Sequence, residues 1–299
     1  MLTLQSAGDQ LPQALFLFGS GRMNLIGKIV PIEVHVQDVS KSFLVDGGRR
    51  VQALQGLDLD IKAGSFVSIL GPSGSGKSTL LGILAGLDRQ DSGQVSLHTA
   101  GAGVGASGPS SNHAAIGYMP QHDLLLPWRR ALDNATVGLE VAGVPRGQAR
   151  ARVLPLFQEF GLEGFTASYP NELSGGMRQR VSFLRSAVLE RGLMLLDEPF
   201  GALDALTRAS MHEWLLAAAK RMGSTFILVT HDVEEAILLS DKVCVLSPRP
   251  GTVVATVDID LPTPRSLATL EDERFAGYRR RLLETLRATG GLAVAGGQA

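Results

Sequence analysis

The chain has 299 residues, 44% of them hydrophobic and 19% charged, enough to bury one large core or a core with a subdomain. Its formal net charge is −1 and it carries no long basic tract, which argues against a nucleic-acid surface as its main business. Cys244 is the only cysteine, so an intramolecular disulfide or a cysteine-based metal cluster within one chain is excluded, and a reducing, cytosolic compartment is the default.

No apolar run approaches the roughly 20 residues that span a bilayer. Leu15-Phe16-Leu17-Phe18 is only a short patch, and the first ten residues carry Asp9 with no Lys or Arg, so the basic region of a secretory signal is missing. Residues 1–31 mix polarities without a sustained period and read as a loose, poorly ordered extension or a misassigned start, with Met23 as the alternative initiator. From Ile32, the segments Ile32-Glu33-Val34-His35-Val36 and Leu57-Asp58-Leu59-Asp60-Ile61 alternate apolar and polar residues, the period of half-buried antiparallel strands.

Phe66-Val67-Ser68-Ile69-Leu70 reads as a strand that delivers Gly71-Pro72-Ser73-Gly74-Ser75-Gly76-Lys77-Ser78-Thr79. That spacing is a P-loop. Its glycines permit positive φ and close backbone approach to a phosphate, and Lys77 reaches the β- and γ-phosphates. Ser78 opens an apolar helical stretch from Thr79 to Leu87, whose amides and dipole favour the same anion.

Gln94-Val95-Ser96-Leu97 is a further strand, and Thr99 to Ser111 is a Gly/Ala/Ser stretch without a packable face, expected as a mobile surface loop. Residues from about Ala131 to Tyr169 place Leu, Val and Phe at helical spacing, with turns at Gly143-Val144-Pro145 and Gly161, as in a small helical subdomain. Leu173-Ser174-Gly175-Gly176-Met177-Arg178-Gln179-Arg180 precedes an apolar stretch from Val181 to Leu189, so Ser174, Gly175 and Gly176 fall at a second helix N-terminus. Taken alone this is either a phosphate-ready surface or an ordinary serine-capped helix.

Leu193-Met194-Leu195-Leu196 and Phe226-Ile227-Leu228-Val229 are wholly apolar, as parallel strands covered on both faces are, and chemistry should gather at their carboxyl ends. There stand Asp197, placed to hold Mg²⁺, Glu198, placed to polarise an attacking water, and His231, which can bond a γ-phosphate or orient that water. In the tail, Phe275, Tyr278, Leu282 and Leu286 recur at helical spacing against Arg279, Arg280, Arg281 and Glu284. This amphipathic helix either docks on its own domain or makes a regulatory or membrane-surface contact. No internal repeat of about 20–50 residues is visible.

Over roughly residues 32–260 these motifs, in this order, resemble the ATP-binding cassette family, the nucleotide-binding subunits of ABC transporters. The resemblance assigns Gly71 to Thr79 as Walker A, Gln121 of Tyr118-Met119-Pro120-Gln121 as the Q-loop and Leu173 to Met177 as the family signature. Asp197-Glu198 looks like Walker B, Gly201-Ala202-Leu203-Asp204 like the D-loop, His231 like the switch histidine, and Phe43 falls where an aromatic stacks on adenine. It implies an α/β fold, a P-loop NTPase core with an antiparallel β-subdomain and an inserted helical subdomain. The divisions expected are an extension at 1–31, an ATPase domain at 32–260 with its helical subdomain at about 122–190, and a C-terminal helix and flexible tail at 261–299.

Two positions depart from the commonest pattern, Met177 where many members have Gln and Gly201 where many have Ser; neither removes a catalytic group. With Glu198 to Arg208 and Asp123-Leu124-Leu125-Leu126-Pro127-Trp128, they resemble the importer branch that handles nitrate, sulfonates, taurine and aminopyrimidine thiamine precursors. The implied protein is an ATPase with ATP and Mg²⁺ as cofactors. It works as a homodimer on integral-membrane permease subunits, peripheral on the cytoplasmic face of the membrane, indirectly served by a solute-binding protein and without nucleic acid. In that scheme Lys77, Glu198 and His231 are catalytic, while Ser78, Gln121 and Asp197 hold Mg²⁺ directly or through water. Phe43, the whole run Gly71 to Thr79, Gln121 and Asp204 bind nucleotide together with Ser174, Gly175 and Gly176 of the opposite subunit. The alternatives are a soluble ABC-type ATPase without a membrane partner and an exporter subunit, which is normally fused to membrane helices. Asp123 to Trp128 is either part of a groove for a permease helix or ordinary subdomain core.

Overall fold

The structure, a computed structural model, describes residues 29–45, 47–99, 115–201 and 203–290. Residues 1–28 of the expected extension, nearly all of the expected loop at 99–111, Ala202 of the expected D-loop and the tail from 291 lie outside the described residues.

Two sheets form the frame. The first is antiparallel, with β1 (Ile32–Val45) between β2 (Arg49–Ile61) and β4 (Ser92–Thr99). Val34 faces Ile61 and Val36 faces Leu59, so the two alternating segments pair as their period requires. The strands run longer than those segments, because the register shifts after Val36 and again after Val39, where Asp38 takes a positive φ of 48°. These bulges re-aim the far end of β1 and leave Phe43, Leu44 and Val45 on the outside.

The second sheet has the order β5-β6-β7-β3-β8-β9, from β3 (Phe66–Leu70), β5 (Ile116–Met119), β6 (Leu193–Asp197), β7 (Thr225–Thr230), β8 (Lys242–Leu246) and β9 (Val253–Asp258). All neighbours are parallel except β9, which turns back on β8. Every residue of β3, β6 and β7 is buried, which accounts for their unbroken apolar runs. One face, with Val67, Ile69, Leu195, Ile227 and Val229, packs under the antiparallel sheet. The other, with Phe66, Met194, Leu196, Phe226 and Leu228, carries the helical region.

That region comprises α2 (Ala131–Val141), α3 (Arg146–Glu159) and α4 (Gly175–Ala187), joined by turns at Gly143 and Gly161 that both use positive φ. Helix α1 (Lys77–Leu84) follows β3 and stops short of the expected Leu87. Gly86 takes φ +72°, the Gly86 and Leu87 amides bond back to Ile83 and Gly82, and Leu87 is left in solvent.

Helices α5 (Ala205–Met222), α6 (Val233–Leu239) and α7 (Glu273–Ala288) complete the chain. The tail helix α7 buries Phe275, Leu282 and Leu286 against Ala236, Ile237, Val243 and Val257, so of its two expected roles it performs the docking one. The Tyr278 hydroxyl accepts the Asp260 amide at 3.0 Å, and Arg279 donates to Glu234 of α6 at 2.9 Å.

Candidate active site

The parallel register aligns three chain exits at one sheet edge. Asp197 lies opposite Val229, Val229 opposite Ile69, and Thr230 opposite Leu70, so Glu198, His231 and Gly71 leave their strands side by side.

From Leu70 the chain enters the glycine loop. Gly74 and Gly76 have φ of +77° and +91°, and a Cβ on Gly76 would meet the Ala53 carbonyl oxygen at 2.7 Å, so no other residue fits there. A Cβ on Gly71 would press on the Leu246 carbonyl at 3.1 Å. Ser73 and Gly74 face outward, Pro72 and Thr79 are half-buried, and Ser75 is enclosed with its amide bonded to the Pro72 carbonyl at 3.2 Å. Lys77, at the first position of α1, is buried and donates to the Gly71 and Pro72 carbonyls at 2.8 and 2.9 Å. Burial pulls its pKa down, and the nearby Glu198 and Asp197 carboxylates oppose that shift. The ammonium is thus held on the inner side of the loop by short bonds to backbone acceptors that an anionic ligand can replace.

Asp197 closes β6 and is only 2% exposed. Burial drives its pKa up; the Ser78 hydroxyl, donating to Oδ1 at 3.1 Å, and Lys77 pull it down, while Glu198 adds to the rise. Glu198 follows in the left-handed region, φ 45°, with its amide bonded to the Val229 carbonyl at 2.9 Å. A non-glycine residue held there costs about 1–3 kcal/mol, and such strain gathers at functional sites. The turn brings Glu198 Oε2 to 3.3 Å from His231 Nδ1 and 3.4 Å from Gln121 Nε2. Walls, floor and acid are therefore assembled within one chain from Lys77, Ser78, Gln121, Asp197, Glu198 and His231.

The remaining expected residues do not join them. Among the described residues, no hydrogen bond or ion pair links Ser174, Gly175 or Gly176 to the glycine loop. Ser174 caps α4, its Oγ accepting the Met177 amide at 3.2 Å, and Gly175 and Gly176 form the first turn, where a Cβ on Gly175 would meet nothing nearer than the Arg178 guanidinium at 3.8 Å. Asp204 caps α5, accepting the Thr207 amide at 3.0 Å, a bond that also lowers its pKa. Phe43 stands on the outer stretch of β1 with the Lys41 ammonium 5.1 Å from its ring centre.

The segment after Gln121 is fastened to α4. Arg178 pairs with Asp123 at 3.0 Å, and Arg185 donates to the Leu124 and Asp123 carbonyls, each at 2.8 Å. Leu125 is buried among the helices as the core reading expects, whereas Leu124, with φ 44°, is 62% exposed and Trp128 is 71% exposed. The core reading therefore fails for Trp128. Sequence reasoning did not pick out Thr230, Glu235 and His212, which form a buried polar group directly behind His231, nor the half-buried Arg208 beside them; the spacing Asp232 to Glu235 at a helix start was the available signal.

Comparison with known proteins bears on this arrangement. The protein family described as ABC transporter matches residues 54–201. The aliphatic sulfonates import ATP-binding protein SsuB 2 of Rhizobium johnstonii is 43% identical over 262 residues, covering 87% of this chain and 94% of that protein. The taurine import ATP-binding protein TauB of the same organism is 40% identical, covering 85% and 96%. The formylaminopyrimidine import ATP-binding protein ThiZ of Halalkalibacterium halodurans is 39% identical, covering 79% and 88%. A solved structure of a dimeric ATP-binding cassette in a post-hydrolysis state bound to ADP and Pi superposes with a TM-score of 0.66 at 30% identity, covering 76% of this chain and 99% of that one.

Proposed function

The chain belongs to the ABC transporter family and is an ATP-hydrolysing subunit, and from that premise we propose that it powers uptake of a small sulfonate-, taurine-, nitrate- or aminopyrimidine-like solute through a separate permease. The observation that carries the mechanism is the convergence of Gln121 and His231 on one oxygen of Glu198, beside Lys77 and Asp197.

In this reading the amides of Gly74 to Thr79 and the Lys77 ammonium bind the ATP phosphates. Glu198 takes the proton of the water that attacks the γ-phosphate, and His231 orients the departing phosphoryl group while holding the Glu198 carboxylate in place. Phe43, 39% exposed, would stack on the adenine base. Ser174, Gly175 and Gly176 offer a helix N-terminus to the γ-phosphate bound by a second copy, with Asp204 near the same seam.

The donors also fit Mg²⁺. One enclosed carboxylate with a serine hydroxyl and a glutamine amide is a set of hard oxygens too small for a complete cage, which suits an ion shared with phosphates and water. Asp197, whose charged form is disfavoured by burial, gains most from a cation. Ser78, Asp197 and Gln121 would hold the ion, which neutralises charge on the transferred phosphoryl group.

The exposed pair Leu124 and Trp128 gives the permease helix an apolar anchor next to the Gln121 segment. Among the described residues no helix is long and apolar enough to cross a membrane, in keeping with a peripheral place on its cytoplasmic face beside a permease that a solute-binding protein supplies. The decisive variant is Glu198→Gln. It should retain ATP affinity, lose turnover by about 10²–10⁴-fold and accumulate as an ATP-bound dimer on size exclusion. Turnover near that of the wild type removes Glu198 from the role of base.

A further inference from the structure

Behind the proposed phosphate contact His231 lies a second polar layer that takes no direct part in the reaction. Glu235, in the first turn of α6, is 7% exposed, and a carboxylate so enclosed is costly unless its partners repay the lost hydration. Its Oε2 accepts the Thr230 hydroxyl at 2.8 Å, and the same hydroxyl accepts the Asp232 amide at 3.0 Å. These two bonds grip the backbone on either side of His231. Because the Thr230 proton points at Glu235, its lone pair is left for the Asp232 amide, and the carboxylate thereby fixes the sense of the whole chain of bonds.

The other oxygen faces helix α5. Glu235 Oε1 lies 3.5 Å from His212 Nε2 and 3.8 Å from Arg208 Nε. Both nitrogens are buried and make no hydrogen bond, so a closer approach of α5 to α6 by less than an ångström gives them the partner they lack. Each carries the connection onward: Arg208 donates to the Leu203 carbonyl at 3.0 Å, just before Asp204, and the His212 ring stands edge-on to Phe200 with centres 4.6 Å apart. Phe200 is two residues beyond Glu198. The cleft next to Glu198 and His231 is floored by Thr230, Arg208 and Glu235.

We propose that Glu235 is a positioning residue for ATP hydrolysis, the hub through which the segments bearing Glu198, Asp204 and His231 are held in common register. It touches neither nucleotide nor metal and acts through His231. The inference rests on the reading of His231 as the γ-phosphate contact, and the experiment separates the two.

The full-length chain is measured as Glu235→Ala, His231→Ala and the double variant, recording kcat and KM for ATP together with Tm. Since a misplacement of about 1 Å near a reacting centre costs on the order of 10²-fold, Glu235→Ala should lower kcat about 10- to 10²-fold with KM little changed. Glu235→Gln, which keeps an acceptor for Thr230, should recover part of that loss. In the His231→Ala background Glu235→Ala should cause no further loss of kcat, because residues acting as one unit are non-additive. Multiplying effects, or wild-type kcat in Glu235→Ala with a lowered Tm, overturn the proposal and leave Glu235 as a packing residue. Wild-type kcat in His231→Ala instead sinks the reading of His231. If Glu235→Ala does not fold, Glu235→Gln and Thr230→Val, which each remove less, enter the same cycle and decide it by the same criterion.

Discussion

The glycine-loop edge of the parallel sheet and the N-terminal end of α4 both present backbone amides and small polar side chains, yet they are held in opposite ways. At the sheet edge most of the functional groups are fixed by residues distant in the chain: Ser78 by Asp197, Glu198 by Val229, Gln121 and His231, Gly71 by Leu246 and Gly76 by the Ala53 backbone, while Lys77 is held within its own loop by the Gly71 and Pro72 carbonyls. At α4, Ser174 is exposed and bonds within its own first turn, to the Met177 and Arg178 amides, while a Cβ on Gly175 would meet nothing nearer than the Arg178 guanidinium at 3.8 Å. One chain therefore builds a finished cradle and acid on the first surface, and a finished but unmatched helix end on the second. Such a pair of surfaces is what a two-fold dimer needs, since each copy offers the other the half it does not use itself.

The largest effect is expected on the cradle. Lys77→Ala removes a charge-assisted contact worth about 1.5–3 kcal/mol, so ATP affinity, read by titration calorimetry, should fall roughly 10- to 150-fold. The buried site should gain rather than lose stability, because Lys77 is held against its own desolvation. Unchanged affinity would remove the loop from phosphate binding.

On the arm, Trp128→Ala should leave Tm and basal ATPase unchanged, as its ring is in solvent, while co-purification with the permease weakens. An aromatic anchor is typically worth about 2 kcal/mol or more. A fall in Tm would return Trp128 to the core, and intact permease binding and transport would end its coupling role.

The smallest expected effect distinguishes the cradle as the strained region. Asp197 has a raised pKa in the folded protein, so its contribution to stability is greatest below the ordinary carboxylate range, about 4, and is lost as pH rises through the raised value. Asp197→Asn should therefore raise Tm at neutral pH, and the gain should vanish as the pH approaches that range from above. A Tm below wild type at neutral pH would show that the carboxylate stabilises the fold.

These contrasts track what local sequence can reveal. The P-loop was legible because Gly71, Gly74, Gly76 and Lys77 encode a backbone conformation within nine residues, and β6 and β7 because burial on both faces leaves a continuous apolar run. The tail helix showed its buried stripe at Phe275, Leu282 and Leu286. The bulges of β1 and the antiparallel return of β9 were not legible, since both depend on pairing with distant strands. The early stop of α1 turned on one positive φ at Gly86 inside an otherwise apolar run. The exposure of Trp128 could not be read from its type, which is usually buried. Glu235 was hidden for a related reason: in sequence it is one more acid in a helix start, and only the approach of α5 gives it His212 and Arg208.

The central claim is that catalysis joins the cradle of one copy to the α4 end of another, and mixing two damaged chains tests it most directly. Lys77→Ala spoils only the cradle. Ser174→Asp keeps the cap on α4, since Asp caps as well as Ser, but sets a negative charge where the γ-phosphate must arrive. Each variant alone should be nearly inactive. Random pairing makes half the dimers mixed, each with one undamaged site, so the mixture should regain about a quarter of wild-type ATPase activity. A mixture no more active than its two components would contradict the account.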